Sequence, residues 1–241
     1  MTYDYGSRSK LSRRALPHFQ EDTLFHHIAR VVCASDCLPR KELYESWEVA
    51  RRARRRFRGG RVIDAACGHA LVAHMMLLLD DSSPDALAID TRLPDSAHTL
   101  SEAMMAEWPR LRGRVQLVQG SLEDVRGTHG DVVVSAHACG SLTDRVLELS
   151  MLGSSRVVVL PCCHEKATGD AGGLGGWLDS SLAIDVTRAA RLRAHGYTVH
   201  TQLIPPAITP KNRLLLAAPA RAPAEPQNPT SGSWVPVGAG G

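Results

Sequence analysis

The 241-residue chain is poor in aromatic side chains, 5% in all, and has only 6 cysteines. So few aromatics disfavour a surface built to stack nucleic-acid bases. Six cysteines spread over this length do not make the disulfide scaffold of a small secreted domain. No run of about 18 apolar residues occurs, which excludes a transmembrane helix and membrane association through one. The basic N-terminus (Arg8, Lys10, Arg13, Arg14) has no apolar stretch behind it, which argues against a secretory signal and for a cytoplasmic location. Charge of one sign is also scarce: 28 Lys and Arg against 25 Asp and Glu leave a formal +3, too little to coat nucleic acid by charge alone. What is present is 44% hydrophobic residues, enough for an aliphatic core. At roughly 150 residues per domain, the length fits one large domain with appendages.

The two ends look loose. Residues 1–18 carry no apolar period, and 219–241 is dense in Pro, Gly and Ser, the composition of a disordered tail. Between them, 19–60 predicts a helical cap. Phe19, Leu24, Ile28 and Val31 mark a helix over 19–32, and Pro39 opens a second over 38–57 that Gly59 and Gly60 stop. Residues 61–218 then alternate: strands at 61–66, 86–90, 115–119, 131–136, 156–160, 197–203 and 213–217, with helices at 71–79, 95–108, 142–152 and 177–194. Short β-branched strands separated by helices imply parallel βαβ units buried on both faces. No helix separates the last two strands. The reading is an α/β, Rossmann-like, doubly wound seven-stranded sheet with an antiparallel last strand and an N-terminal helical cap.

An open α/β sheet binds its ligand beyond the carboxyl ends of its strands. The first strand passes through Asp64, Ala65, Ala66, Cys67 and Gly68 into a helix, and Asp90 ends the next strand about 20 residues further on, where a carboxylate accepts ribose hydroxyls. A dinucleotide asks for G-x-G-x-x-G, and only Gly68 is present. S-adenosylmethionine has no phosphate and needs fewer glycines, and an acid near the end of the first strand suits it. Methyl transfer is therefore favoured over hydride transfer by a nicotinamide-dependent reductase. The plain alternative makes Asp64 a strand-end cap and Asp90 a turn residue.

Three segments carry a resemblance: Asp64-Ala-Ala-Cys-Gly-His-Ala-Leu71, His137-Ala-Cys-Gly-Ser-Leu-Thr-Asp144 and Pro161-Cys-Cys-His164. Over about 38–218 the chain resembles class I S-adenosylmethionine-dependent methyltransferases. The H-x-C-G-x-x-T-D and P-C-C-H pair is similar to the tRNA acceptor-stem 2′-O-methyltransferase family and to the methyltransferase-like 25 group. The resemblance implies S-adenosyl-L-methionine as cofactor, held by Asp64, Ala66, Cys67, Gly68 and Asp90, with Ser121 and Leu122 near the adenine. It implies an acceptor side formed by His137, Asp144 and His164. RNA, tRNA in particular, is the favoured acceptor; a small molecule or a protein side chain comes next. Ala66 and Ala70 stand where glycines are common in the family, which leaves room for a non-catalytic RNA-binding module on the same fold. Oligomeric state is not set by any of these features.

In the strand order that the family implies, the first, fourth and fifth strands are neighbours. Cys67, His137, Cys139, Cys162, Cys163 and His164 then meet at one edge. A zinc site, a thiolate nucleophile and plain packing are all open readings. The preferred one makes Cys67, Cys139 and Cys163 small packing residues, assigns no metal, and leaves His137 and His164 lining the pocket. Thr143 and Asp144 fit the start of a helix, where an acid gains from the dipole. The run Arg51–Arg58 reads as a solvated helix face around the apolar stripe Val49, Ala53 and Phe57, or as a phosphate contact. Asp185 and Arg188 read as a surface pair. Thr209, Lys211, Asn212 and Arg213, between two proline turns and the last strand, suggest a rigid lip over the acceptor pocket.

Overall fold

The structure, a computed structural model, describes residues 3–165 and 167–220. In chain order the elements are α1 (Leu24–Ser35), α2 (Arg40–Arg56), β1 (Val62–Ala65), α3 (Leu71–Leu79), β2 (Ala86–Asp90), α4 (Asp95–Glu107), β3 (Val115–Gln119), β4 (Val132–Ser135), α5 (Ser141–Gly153), β5 (Arg156–Val159), α6 (Ser180–Ala194), β6 (Tyr197–Leu203) and β7 (Arg213–Pro219). Two helices begin later than their apolar pattern suggests, because a capping side chain sets the start. Thr23 accepts from His26 N ahead of α1, and Asp179 accepts from Ser181 N and Leu182 N ahead of α6.

The sheet has seven strands in the order β3-β2-β1-β4-β5-β7-β6. β1 runs parallel to β2 on one side and to β4 on the other. β7 is antiparallel to both β5 and β6. The strand order reverses between β1 and β4, and that switch point opens a crevice at the strand ends. Successive strand residues point to opposite layers. Val62, Val132, Val134 and Val158 pack with α1–α4, whereas Ile63, Val133, Val157 and Val159 pack with α5 and α6. Each such side chain contributes about 1.5–3 kcal/mol when taken fully out of water. No helix among the described residues is long and apolar enough to cross a membrane.

The N-terminal segment departs from its composition. Instead of hanging loose through residue 18, it runs antiparallel to the start of α2: Leu11 N donates to Leu38 O (2.8 Å) and Arg40 N to Ser9 O (3.0 Å). Leu11 is buried, residues Arg13–His18 form a 3-10 turn, and Arg40 stacks over the Tyr3 ring at 4.2 Å. Partners about 30 residues away supply this order, so local composition does not reveal it. The tail expected over 219–241 lies, from residue 221 on, outside the described residues; Pro219 itself ends β7.

The arginine run is likewise more committed than a solvated face. Arg54 is buried, donating to Met76 O (3.0 Å) and Ser83 Oγ (2.7 Å) beside Asp80 (3.3 Å). Arg51 and Arg52 pair with Glu48 at 2.6 and 2.9 Å, and Arg56 meets His200. The stripe of Val49, Ala53 and Phe57 faces the core as its spacing suggests.

Candidate active site

The loop from β1 to α3 is built on three left-handed residues: Ala66 (φ 54), Gly68 (φ 53) and Ala70 (φ 58). Glycine adopts this conformation freely; alanine is strained in it by roughly 1 kcal/mol. Hydrogen bonds hold the loop in place. Cys67 N donates to Ile89 O (3.1 Å), and Gly68 N donates to the Asp90 carboxylate at Oδ2 (3.0 Å). The other Asp90 oxygen accepts from Arg92 N at 3.1 Å. Thr91 Oγ1 also donates to that oxygen at 3.4 Å, and Oδ2 keeps a second lone pair. Beside it, Ala66, Asp90, Ser121 and Leu122 line one cleft at the strand ends, joined by Leu142 and Arg145 from α5. A ribose carboxylate, close-approach backbone and an apolar wall fit an adenosine group, so these residues suit the cofactor that the sequence implies.

Asp64 sits elsewhere. It is 1% exposed, and its Oδ2 accepts from Ala73 N at 3.0 Å, inside the first turns of α3. Burial raises its pKa well above the ordinary carboxylate value. Cys67 is buried and its thiol pKa is pushed up by burial, as a packing cysteine's should be.

Two residues that the sequence did not single out face the loop. Glu42, in the first turn of α2, lies 3.5 Å from His69 Nδ1 and 3.9 Å from His137 Nε2. His69 Nε2 meets Ser96 Oγ at 3.0 Å. His137 Nε2 is buried and makes no hydrogen bond among the described residues. An acid two residues past the start of a helix has no signature that aims it at this loop, and only the docking of the cap brings it here.

The H-x-C-G-x-x-T-D segment is held by a network. Gly140 has φ +59, and a side chain there would strike Glu165, which accounts for the glycine. Gly140 N donates to Cys163 O (2.9 Å), joining the β4 and β5 loops. Thr143 Oγ1 donates to Ala138 O (2.7 Å). Arg188 is 4% exposed; it donates to Gly140 O (2.9 Å) and to both Asp144 oxygens (2.9 and 2.7 Å), and reaches Asp185 at 3.4 Å. Asp185 also meets His164 Nε2 (2.7 Å) and Arg213 Nε (2.7 Å). Asp185 and Arg188 therefore form the centre of a buried network and not a surface pair. Asp144 and His164 are brought into that network; His137 stands apart from it beside Glu42.

The cysteines also divide. Cys139 and Cys163 are exposed, so they are not packing residues, and their thiols lie with that of Cys162 within 4.8 Å of one another. The Cys139 and Cys162 sulfurs are 2.8 Å apart, and that contact holds the Cys139 thiol below its ordinary pKa. The lip between β6 and β7 reaches this edge, with Lys211 Nζ 3.7 Å from Cys163 Sγ.

The sheet order, with its antiparallel last strand, is that of a class I S-adenosylmethionine-dependent methyltransferase. A family profile described as a methyltransferase domain matches residues 41–170, over half of the sequence, and the chain belongs to that family. It is an enzyme of this class with S-adenosyl-L-methionine as methyl donor, which sets the nicotinamide reading aside. No curated protein sequence matches the chain. Among solved structures, a putative rRNA-methylase from Clostridium thermocellum is similar with a TM-score of 0.51 at 12% identity, covering 72% of this chain and 94% of that one. The M1A22 tRNA methyltransferase TrmK of B. subtilis is similar at TM-score 0.48 and 16% identity, over 72% of this chain and 66% of that one. The present chain thus spans just under two thirds of the length of TrmK.

Proposed function

We propose that the protein methylates a hydroxyl or amine of RNA, tRNA foremost, with His137 as the group that takes the acceptor's proton. The observation that carries this reading is the His137 Nε2 atom, buried and without a hydrogen bond among the described residues, beside the Glu42 carboxylate at 3.9 Å. The paired H-x-C-G-x-x-T-D and P-C-C-H segments, similar to those of the tRNA acceptor-stem enzymes, support a tRNA acceptor.

When bound, S-adenosyl-L-methionine supplies a methyl group already activated on a sulfonium. The chain's own residues then have to align the acceptor and exclude water. Asp90 is assigned to the ribose hydroxyls, Ser121 and Leu122 to the adenine, and the Ala66–Cys67–Gly68 backbone to the methionine portion. Asp64 is assigned a positioning role, holding Ala73 N and with it the start of α3. Asp144 and His164 are also positioning residues. Through Arg188 and Asp185 they fix the two loops on which the acceptor would rest.

The deciding experiment follows labelled methyl from S-adenosylmethionine into total RNA, total protein and a small-molecule extract. Label is expected in RNA, in the tRNA fraction. Label confined to protein or small molecules would overturn the RNA assignment. In the active fraction, His137→Gln should lower kcat by about a hundredfold with unchanged cofactor affinity; an unchanged kcat would remove His137 as the base.

A further inference from the structure

Three thiols on two different loops converge at the edge of the sheet: Cys139 after β4, and Cys162 and Cys163 after β5, all within 4.8 Å of one another. Two of them are exposed, so burial does not explain the cluster. Its geometry is imposed from outside. The Gly140 N to Cys163 O bond ties one loop to the other, Arg188 clamps Gly140 O, and Asp185 holds His164 directly beside Cys163. Loops fixed in this way keep the three thiols convergent, with the Cys139 and Cys162 sulfurs in direct contact at 2.8 Å.

We propose that Cys139, Cys162 and Cys163 form a zinc site with three thiolate ligands and a fourth position open to solvent. With Zn–S near 2.3 Å, tetrahedral donors lie about 3.8 Å apart, a spacing that small side-chain rotations reach from the observed cluster. Thiolates select thiophilic ions such as Zn(II) and Cu(I). Charge chooses between them. Three thiolates with a divalent ion leave one negative charge, which the Lys211 ammonium at 3.7 Å from Cys163 Sγ balances; a monovalent ion would leave two. Binding replaces three S–H bonds by three Zn–S bonds and releases three protons, so occupancy rises with pH. Three protein ligands with an open position are the pattern of zinc sites that receive an exogenous ligand, as distinct from closed structural ones. That open position lies on the edge where acceptor is proposed to rest. The site itself does not depend on the identity of the acceptor, and its failure would leave the RNA reading standing.

The test uses the full chain, purified under reducing conditions, stripped with a chelator and titrated with Co(II) and then Zn(II). One ion per chain is expected, with an intense thiolate-to-cobalt charge-transfer band and the visible bands of tetrahedral cobalt, both displaced by zinc. Cys139→Ser, Cys162→Ser and Cys163→Ser should each weaken binding by at least tenfold, and Lys211→Met by a smaller factor. Cys67→Ser and Cys33→Ser should leave it unchanged. Circular dichroism of each variant separates loss of the site from loss of the fold. Cobalt bound without a charge-transfer band, equal binding by the Cys139→Ser/Cys163→Ser double variant, or a Cys139–Cys162 disulfide formed in the presence of saturating zinc would overturn the assignment.

Discussion

The two halves of the ligand-binding edge are built by different means. The half proposed to hold the cofactor, at the ends of β1, β2 and β3, is made of backbone. Left-handed residues at 66, 68 and 70 shape the loop, and amides from Gly68 and Arg92 hold the Asp90 carboxylate. The half proposed to receive the acceptor, at the ends of β4 and β5, is made of side chains that cross long stretches of sequence: Arg188 to Asp144, Asp185 to His164 and Arg213. A backbone site tolerates a change of side chain if φ and ψ survive. A side-chain network fails as a unit when one buried member is removed.

That contrast is most sharply broken at Arg188. Replacing it with methionine removes the charged hydrogen bonds to Asp144, Asp185 and Gly140 O and should lower stability by about 2–3 kcal/mol in denaturant unfolding. A loss under about 1 kcal/mol would show that the two halves are alike. The cofactor half has its own buried group in His74 on α3. It is inaccessible, its Nδ1–H donates to Ala70 O (2.7 Å) and its Nε2 accepts from Ser101 Oγ (3.0 Å), so it is neutral, and burial lowers its pKa to about 4. Between pH 6.5 and about 4 the unfolded chain takes up a proton that the folded chain refuses. Stability contributed here is present above pH 6.5, falls as the pH drops, and levels off below about 4, a loss of about 3 kcal/mol in all. His74→Met should flatten that limb when stability is measured against pH. Asp64 works in the opposite sense: its raised pKa favours the folded state at low pH and less so as pH rises.

Smaller effects sharpen the comparison. Asp90→Ala should weaken S-adenosylhomocysteine binding by about 2 kcal/mol in calorimetry, through lost ribose contacts and a freed Gly68 amide. Ala66→Gly and Ala70→Gly should each stabilise the chain by up to about 1 kcal/mol, because the left-handed conformation no longer opposes a Cβ. If either variant is destabilised, loop strain is not what distinguishes this half.

The same contrast decides what could be read before folding. That Asp90, about 20 residues past a lone glycine, ends the second strand was legible because this part of the chain repeats a local strand-turn-helix pattern. That the first, fourth and fifth strands are neighbours came from the family resemblance, whereas the antiparallel last strand followed from the missing helix before 213. Glu42 was not legible, because its place beside His137 depends on how α2 docks on α3. Arg188 read as half of an i, i+3 pair, and only tertiary packing turns it inward to Asp144. The cysteines read as packing residues because thiols are usually buried; the exposure of Cys139 and Cys163 is set by loops that the network lifts to the rim.

The clip formed by Ser9 and Leu11 against Leu38 and Arg40 bears on how this protein can be handled. It grips the start of α2, two residues before Glu42, so a fusion partner or tether attached ahead of Tyr3 pulls on the lever that sets the His69 and His137 surroundings. β7 instead ends where Pro219 pairs with Tyr197, past the Ala217–Val157 pair at the beginnings of the parallel strands and away from the ligand loops. Immobilisation or labelling from that end leaves the working edge mechanically undisturbed.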